Sequence, residues 1–242
     1  MHFQLVHFNT LDSTNREAAD QARAGAAEGL TIVADEQTAG RGRQGREWAS
    51  ATGSGAYFTT ILHPRVEVRH FTLIPLMAAV AVYDALLERW HIGPDIKWPN
   101  DVLVDEKKIA GILAEMVDTP TGNAIVVGIG INLRAADPEL NATAIEGESK
   151  VLVARDEVVL AVLEQLGTLY TRLHEKPASI LDEWSSRSSY FDGKAVNVDL
   201  GNNDSFSGVT CGLEENGALR VRDRHGSVRI VQAGDLTRLR QV

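Results

Sequence analysis

The run Gly40-Arg41-Gly42-Arg43-Gln44-Gly45-Arg46-Glu47-Trp48 constrains this chain more than any other feature. An apolar, β-prone stretch, Leu30-Thr31-Ile32-Val33-Ala34, precedes it, and Gly53, Gly55 and a second β-prone stretch, Tyr57 to Leu62, follow it. Gly40-x-Gly42-x-x-Gly45 matches the GxGxxG pattern of dinucleotide sites, but that pattern needs a helix opening from the loop. Gly53 and Gly55 break any helix at that point. The loop therefore joins two strands, and the dinucleotide reading fails on context. A Walker-type GxxxxGK[ST] loop is absent from the sequence. The run carries a net +2 in a chain whose formal net charge is −9. Glycines let the backbone approach a ligand closely, arginine forks match carboxylate and phosphate oxygens, and Trp48 offers a flat face for a ring. An anionic ligand with an aromatic base suits such a loop; a solvated basic loop is the plainer reading.

The flanking patterns extend this unit into an α/β architecture. Gln4 to Phe8 is predicted as a strand, and Thr14-x-x-Glu17 has capping-box spacing that opens an alanine-rich helix to about Ala24. Leu73, Leu76, Met77, Val80, Ala81, Leu86 and Leu87 recur at helical spacing, which predicts a helix over residues 71–90 with those side chains on one side. Strands are predicted over 96–104, 109–117 and 124–133, a loop over 135–150, and helices over 156–174 and 178–187. From Lys194 the texture changes. Short β-prone runs at 195–199, 206–213, 218–222, 228–232 and 235–239 alternate with Gly-Asn-Asn, Glu-Glu-Asn-Gly and Arg-His-Gly turns, as in a small β-barrel. The expected organisation is one domain over residues 1–190 and a small barrel over 191–242.

Composition narrows the function classes. The chain has 242 residues, 44% of them hydrophobic, as in a soluble globular protein. Cys211 is the one cysteine, so no internal disulfide forms and a reducing, cytoplasmic setting is expected. The N-terminus lacks the basic and apolar regions of a signal peptide, and no apolar run is read as approaching the ~20 residues of a membrane span. Residues 191–242 hold seven acids and seven bases, so neither part has the basic excess of a nucleic-acid binder.

Three further motifs carry chemistry. Lys97-Trp98-Pro99-Asn100-Asp101 is a rigid corner that gathers an ammonium, an amide and a carboxylate; a turn with Trp98 in the core and an ordinary ion pair is its plain reading. Lys107-Lys108-Ile109-Ala110-Gly111-Ile112-Leu113-Ala114-Glu115 places a lysine before a strand broken by glycine, which in a strand often marks a close approach; two solvated lysines at a turn are its plain reading. Gly128-Ile129-Gly130-Ile131-Asn132-Leu133 ends a strand with a polar Asn132 suited either to a satisfied core amide or to base and ribose recognition.

Together with Leu11-Asp12-Ser13-Thr14-Asn15, these motifs closely resemble biotin protein ligases over nearly the whole chain. GRGRxGRxW and KWPND followed by KIAGIL are the most specific of them, and Ala233-Gly234-Asp235 looks like part of the family's C-terminal barrel. The resemblance implies an α/β mixed-sheet domain like that of class II aminoacyl-tRNA synthetases, followed by a small SH3-like β-barrel. It implies that biotin reacts with ATP to give biotinyl-AMP, and that biotin then passes to a lysine of the biotin carboxyl carrier protein. By the same resemblance, Lys108 contacts the biotin carboxylate and the anhydride, with Arg43 and Lys97 as further catalytic groups. Ser13, Thr14 and Gln37 hydrogen-bond the ureido ring; Gly40, Arg41 and Gly128 complete the biotin site. Arg43 belongs to a loop, residues 38–48, that closes over the adenylate, and Arg46 lines its phosphate end. Trp48 and Asn132 contact the adenine. Lys97, Asn100 and Asp101 serve the triphosphate and Mg2+, and whether Lys97 or Asp101 meets phosphate or metal stays open.

The chain begins directly at this catalytic unit, without a helix-turn-helix segment, so a ligase-only form without specific DNA binding or membrane attachment is expected; a homodimer is left open. A lipoate ligase is the nearest rival, and the polar Ser13-Thr14 and Gln37 set argues against it, because lipoate has no ureido head. A biotin-responsive DNA-binding regulator would need a basic helix-turn-helix segment. A non-catalytic binding module would have no use for Lys108 and the arginines at the spacing of transfer chemistry.

Overall fold

The computed structural model describes residues 1–134, 141–201, 204–232 and 234–238. Seven strands form the main sheet: β1 (Gln4–Leu11), β2 (Leu30–Gln37), β3 (Gly55–Leu62), β4 (Asp95–Lys97), β5 (Asp101–Val104), β6 (Lys107–Thr119) and β7 (Gly122–Asn132). Their spatial order is β1-β2-β3-β7-β6-β5-β4, with β1 and β2 parallel and every other pair antiparallel. The stretch read as one strand over 96–104 is two, because the corner Trp98-Pro99-Asn100 turns the chain back on itself.

Alternation along β6 and β7 decides what each face does. Ala110 and Ile112, with Ile125, Val127, Ile129 and Ile131, face a large core. The helix α2 (Ile74–Trp90) fills that core, backed by α4 (Arg155–Glu175) and α5 (Ser179–Ser185). The helix α1 (Thr14–Arg23) covers part of the other face, where Ala18 and Ala22 meet Ile32, Ile61, Val117 and Val126. The remainder of that second face carries Gly111, Gly128 and Gly130 and is left for the site.

Several sequence expectations need correction here. Ser13, not Thr14, is the N-cap of α1, and no side-chain cap forms, since the Thr14 hydroxyl bonds Gln37 instead. A 3₁₀ turn, Val68–Leu73, precedes α2, and Leu87 lies outside the buried stripe at 42% exposure. Within 135–150, the chain forms a short helix, α3 (Ile145–Ser149), while 135–140 lie outside the described residues. The stretch Val68–Trp90 is long and apolar enough to cross a membrane by length and composition, with mean hydropathy 1.6, so a run of that kind does exist. Leu73, Met77, Val80 and Leu86 within it are fully buried in the protein's own core.

Residues beyond α5 form a five-stranded antiparallel sheet from β8 (Asp192–Gly201), β9 (Asp204–Leu213), β10 (Leu219–Asp223), β11 (Val228–Val231) and β12 (Asp235–Arg238). Its order is β11-β10-β9-β8-β12. Val196, Val198, Leu219, Val221 and Leu236 belong to the same apolar cluster as the main core, so the two sheets share one interior. Polar contacts pin the junction: Trp98 Nε1 donates to Gly217 O at 2.9 Å, and the Thr72 hydroxyl to Asn216 O at 2.8 Å. Gly217 has φ +78°, and a Cβ there would stand 2.7 Å from Leu76 Cδ1, so both conformation and contact require glycine.

Trp98 and Trp184 offer a paired test. Both indoles are buried, but Trp184 Nε1 has no partner. Trp98→Phe leaves the Gly217 carbonyl unpaired, which costs about 1–3 kcal/mol beyond the lost volume. In urea unfolding, Trp98→Phe is expected to lower the midpoint more than Trp184→Phe; equal effects would remove the junction bond from the account.

Candidate active site

The glycines of β6 and β7 make a floor. Gly111 pairs with Gly130, and Leu113 with Gly128, on the face that α1 leaves open. The Trp48 indole rests on this floor: a Cβ at Gly130 would stand 2.5 Å from Trp48 Cε2, and one at Gly111 2.9 Å from Trp48 Cζ3. A Cβ at Gly128 would stand 1.8 Å from Asn15 Oδ1. Above the floor is a cavity of about 110 Å³.

One end of the cavity is a polar recess built by the start of α1 and the end of β2. Gln37 Oε1 accepts from the Thr14 backbone N–H at 2.8 Å and from the Thr14 hydroxyl at 3.1 Å. Thr59 donates to Thr14 and lies 2.8 Å from Asn15 Oδ1, while Asn15 Nδ2 donates to Leu113 O and Glu115. Buried Ser13 lines the same recess. These side chains lock one another's rotamers, so the recess is pre-organised for a polar head group.

The other end is cationic. The loop after β2 folds back on itself: the backbones of Arg41 and Glu47 pair antiparallel, Gly42 N–H donates to Arg46 O at 2.7 Å, and Trp48 N–H to Gly40 O at 3.0 Å. Each loop arginine meets an acid from elsewhere. Arg41 pairs with Glu115 of β6 at 2.7 Å, and Arg46 pairs with Asp235 of β12 at 3.0 Å. Arg43 donates to Asn100 Oδ1 at 3.2 Å and Gly234 O at 3.4 Å, with Asp235 at 3.8 Å. Burial pushes the Arg43 guanidinium below its usual pKa, while Asp235 and Asp101 oppose that shift, and it stays protonated. Lys108 Nζ sits 2.6 Å from Asp101 Oδ1 and 5.0 Å from the centre of the Trp48 ring. Exposed pairs such as Arg46–Asp235 contribute only ~0–1 kcal/mol, so a more highly charged anion can displace them. Trp48 Nε1 is buried without a partner, which also marks a group that gains from a ligand or from moving.

Most residues singled out in the sequence meet here. Ser13, Thr14, Gln37 and Gly128 line the recess and floor, and Arg41, Arg43, Arg46, Trp48, Asn100 and Lys108 line the rest. Four do not line it. Gly40 packs against the protein itself, since a Cβ there would stand 2.3 Å from Trp48 O. Asn132 uses its amide to brace Lys108 O and Thr143 O. Lys97 lies 3.9 Å from Asp101 Oδ2, and Asp101 serves as the counter-ion of Lys108. Sequence reasoning missed Asn15, Glu115 and Asp235. Asn15 stands beside two selected residues, and Glu115 follows Gly111 at the even spacing of one strand face; Asp235 gives no local signal.

Residues 8–132 match the model of the biotin/lipoate A/B protein ligase family. Over 233 residues the chain is 34% identical to the biotin–[acetyl-CoA-carboxylase] ligase of Paracoccus denitrificans, covering 89% of this chain and 92% of that protein. It is 32% identical to the bifunctional ligase/repressor BirA of Bacillus subtilis (strain 168), over 95% of this chain and 72% of that one. The biotin protein ligase from Aquifex aeolicus, solved with biotin and ATP, superposes with a TM-score of 0.83 at 31% identity, covering 98% of this chain and 99% of that chain. The chain belongs to the biotin/lipoate A/B protein ligase family. Membership bears out the expected fold class, a mixed-sheet α/β domain with a small antiparallel C-terminal unit.

Among the described residues the site holds no dedicated cage of side chains for a magnesium ion. Among the described residues no group of three histidine, cysteine or carboxylate side chains could hold a metal. Asp101, assigned to Mg2+ in the sequence, has its two oxygens facing Lys108 and Lys97.

Gly128→Ala drives a methyl into Asn15 and is expected to destabilise the fold by about 1–3 kcal/mol. Gly93→Ala, with nothing within 4 Å of its Cβ position, is the control. Thermal unfolding of both checks this; equal midpoints would mean that the Asn15 clasp yields freely.

Proposed function

We infer that this chain is an ATP-dependent biotin protein ligase. It activates biotin as biotinyl-5'-AMP and transfers it to a specific lysine of the biotin carboxyl carrier protein of acetyl-CoA carboxylase or a related biotin enzyme. The observation that carries this reading is the convergence, in one cavity of a chain from this family, of Lys108, Arg43 and Arg46 with the recess of Ser13, Thr14 and Gln37. The Paracoccus relative named for that activity, and the Aquifex neighbour solved with biotin and ATP, support it.

In the first step a carboxylate oxygen of biotin bonds to the α-phosphorus of ATP. The bond from that phosphorus to the bridging oxygen breaks, and pyrophosphate leaves with the electron pair. Both reactants are anions, so fixed cations and positioning supply most of the catalysis. Lys108 balances charge on the carboxylate and the anhydride, with Asp101 aiming its ammonium group. Arg43 and Arg46 exchange Asp235 for phosphate oxygens, and Arg41 closes the carboxylate end while Glu115 holds it. Trp48 supplies a face for the adenylate, and Lys97 acts through Asp101. The nucleotide's own phosphates carry any Mg2+, since that ion keeps several waters and binds through few protein ligands. In the second step the neutral amine of the carrier lysine attacks the anhydride carbonyl and loses a proton, and AMP leaves.

The recess favours biotin over lipoate. A ureido ring offers donors and an acceptor to Ser13, Thr14 and Gln37, and a dithiolane ring offers none.

The decisive experiment is mass spectrometry of a carrier domain incubated with enzyme, ATP, Mg2+ and biotin. A biotin adduct on one lysine, not displaced by excess lipoate, is expected; an adduct of lipoate instead would overturn the substrate assignment. Lys108→Ala is expected to slow biotin-dependent pyrophosphate release by about 10²–10³-fold. Its thermal midpoint should stay close to that of the parent, because Lys108 is half-buried at a strand start. Near-normal release by the folded variant would take Lys108 out of the chemistry.

A further inference from the structure

Ser50 lies two residues beyond Trp48, is 6% exposed and does not line the catalytic cavity. It reaches the polar recess at one remove. Gln37 Nε2 donates to Ser50 Oγ at 2.8 Å, and Ser50 Oγ donates to Trp48 O at 2.9 Å. The Gln37 backbone N–H donates to Ser50 O at 3.0 Å, so one residue holds Gln37 by both its main chain and its side chain. Gly40 clears the space for this arrangement: a Cβ there would stand 2.7 Å from Ser50 Oγ and 3.2 Å from Gln37 Nε2. The direction of every bond along this path is fixed by its ends, because a backbone N–H only donates and a backbone carbonyl only accepts. At one end the Thr14 N–H demands Gln37 Oε1, which also takes the Thr14 hydroxyl. At the other end Trp48 O takes the one hydroxyl proton of Ser50, which leaves Ser50 Oγ as the acceptor for Gln37 Nε2. A flipped Gln37 amide would set its NH2 against the Thr14 N–H, and its oxygen against a hydroxyl with no proton left to give.

We propose that Ser50 is a positioning residue for biotin recognition: it locks the Gln37 amide with Oε1 beside Thr14 and Nε2 turned to Ser50, so that the recess shows one fixed pattern of donors and acceptors. The proposal rests on the ligase reading above. A ureido ring carries N–H donors and a carbonyl acceptor at fixed angles, so it is read only by a pattern that is itself fixed. A terminal amide is nearly symmetric in shape and opposite in chemistry at its two ends. Left free to turn, Gln37 would present either end, and it would lose rotamer freedom when the ligand arrived. Held at both ends, it meets the ring already ordered, and that saving appears as affinity. Ser50 does this from behind the cavity wall, without touching the space that the ring occupies. Its bond to Trp48 O also anchors the recess to the loop that carries the arginines.

The test is a double-mutant cycle read by biotin affinity, measured by calorimetric titration of the protein without ATP. The variants are Ser50→Ala, Gln37→Ala and the two combined, with Ser54→Ala as control and thermal unfolding recorded for each. The Ser54 hydroxyl bonds Ala51 O and the Tyr57 hydroxyl in the same stretch of loop. Ser50→Ala is expected to bind biotin about three- to tenfold more weakly, the effect of about one net hydrogen bond. Ser54→Ala is expected to stay within about twofold of the parent. Since Ser50 acts through Gln37, its effect should vanish once Gln37 is gone, so the combined variant is expected to match Gln37→Ala within about twofold. A general loss of structure would instead add to the Gln37 effect. Ser50→Cys keeps the volume and weakens both bonds, so its affinity is expected to fall between those of the parent and Ser50→Ala; it replaces Ser50→Ala in the cycle if that variant does not fold. Parental affinity in the folded Ser50 variant would overturn the proposal, and so would a combined variant weaker than Gln37→Ala by the full Ser50 factor. A parent protein that does not bind biotin would instead overturn the ligase reading itself.

Discussion

Where β6 and β7 pair, Gly111 faces Gly130, and the side chains missing from that step make the site. A sheet face normally projects one side chain per alternate residue. Here Gly111, Gly128 and Gly130 withdraw them, and the Trp48 ring and the Asn15 amide come down onto bare backbone. Any larger residue at 128 or 130 would strike groups already in place. The same two strands present Ile112, Val127 and Ile129 to α2 on their opposite face, so the floor is fixed by the core beneath it. Rigidity of the floor and openness of the site are thus two faces of one ladder.

Charge is arranged by a similar economy. The loop between β2 and β3 brings three arginines close together, an unfavourable gathering unless anions attend it. In the absence of substrate the protein supplies them: Glu115 for Arg41, Asp235 for Arg43 and Arg46, and Asp101 for Lys108. Since Arg46 and Asp235 are partly exposed, solvent screens their attraction and the pairing stays weak. An anion of higher charge can therefore compete for these cations. The acids hold the cations together at one end of the cavity without trapping them.

The sequence made much of this legible, and the reasons for its failures are physical. The loop between strands was readable because Gly53 and Gly55 exclude the helix that a dinucleotide site needs. The site residues carried in short motifs came together because Ser13-Thr14 opens α1, Gly40 to Trp48 follows β2 and Lys108 to Gly111 opens β6, all beside the glycine floor. Motif membership does not say which way a side chain turns: in this structure Asp101 turns to Lys108, and Asn132 to the backbone of Lys108 and Thr143. Gly40 is required by the carbonyl of Trp48, which no local pattern announces. The capping box failed because Thr14 had a stronger use in the recess. Asp235 was noticed only as part of the C-terminal unit, because its partners lie almost two hundred residues away at Arg43 and Arg46.

That last contact gives the C-terminal sheet its part in the site. Texture alone separates it near residue 190, yet its apolar residues merge with the main core and Trp98 reaches across to Gly217. Trp98 also stands inside the corner that orients Asn100, and Asn100 in turn holds Arg43. Arg43 therefore donates to each unit, to Asn100 Oδ1 of the first and to Gly234 O of the second. A shift of the small sheet would move Gly234 and Asp235 away from the loop and tilt the Trp98 corner at the same time. The two effects act on one guanidinium through separate paths, so the position of the C-terminal sheet bears directly on the loop that carries Arg43.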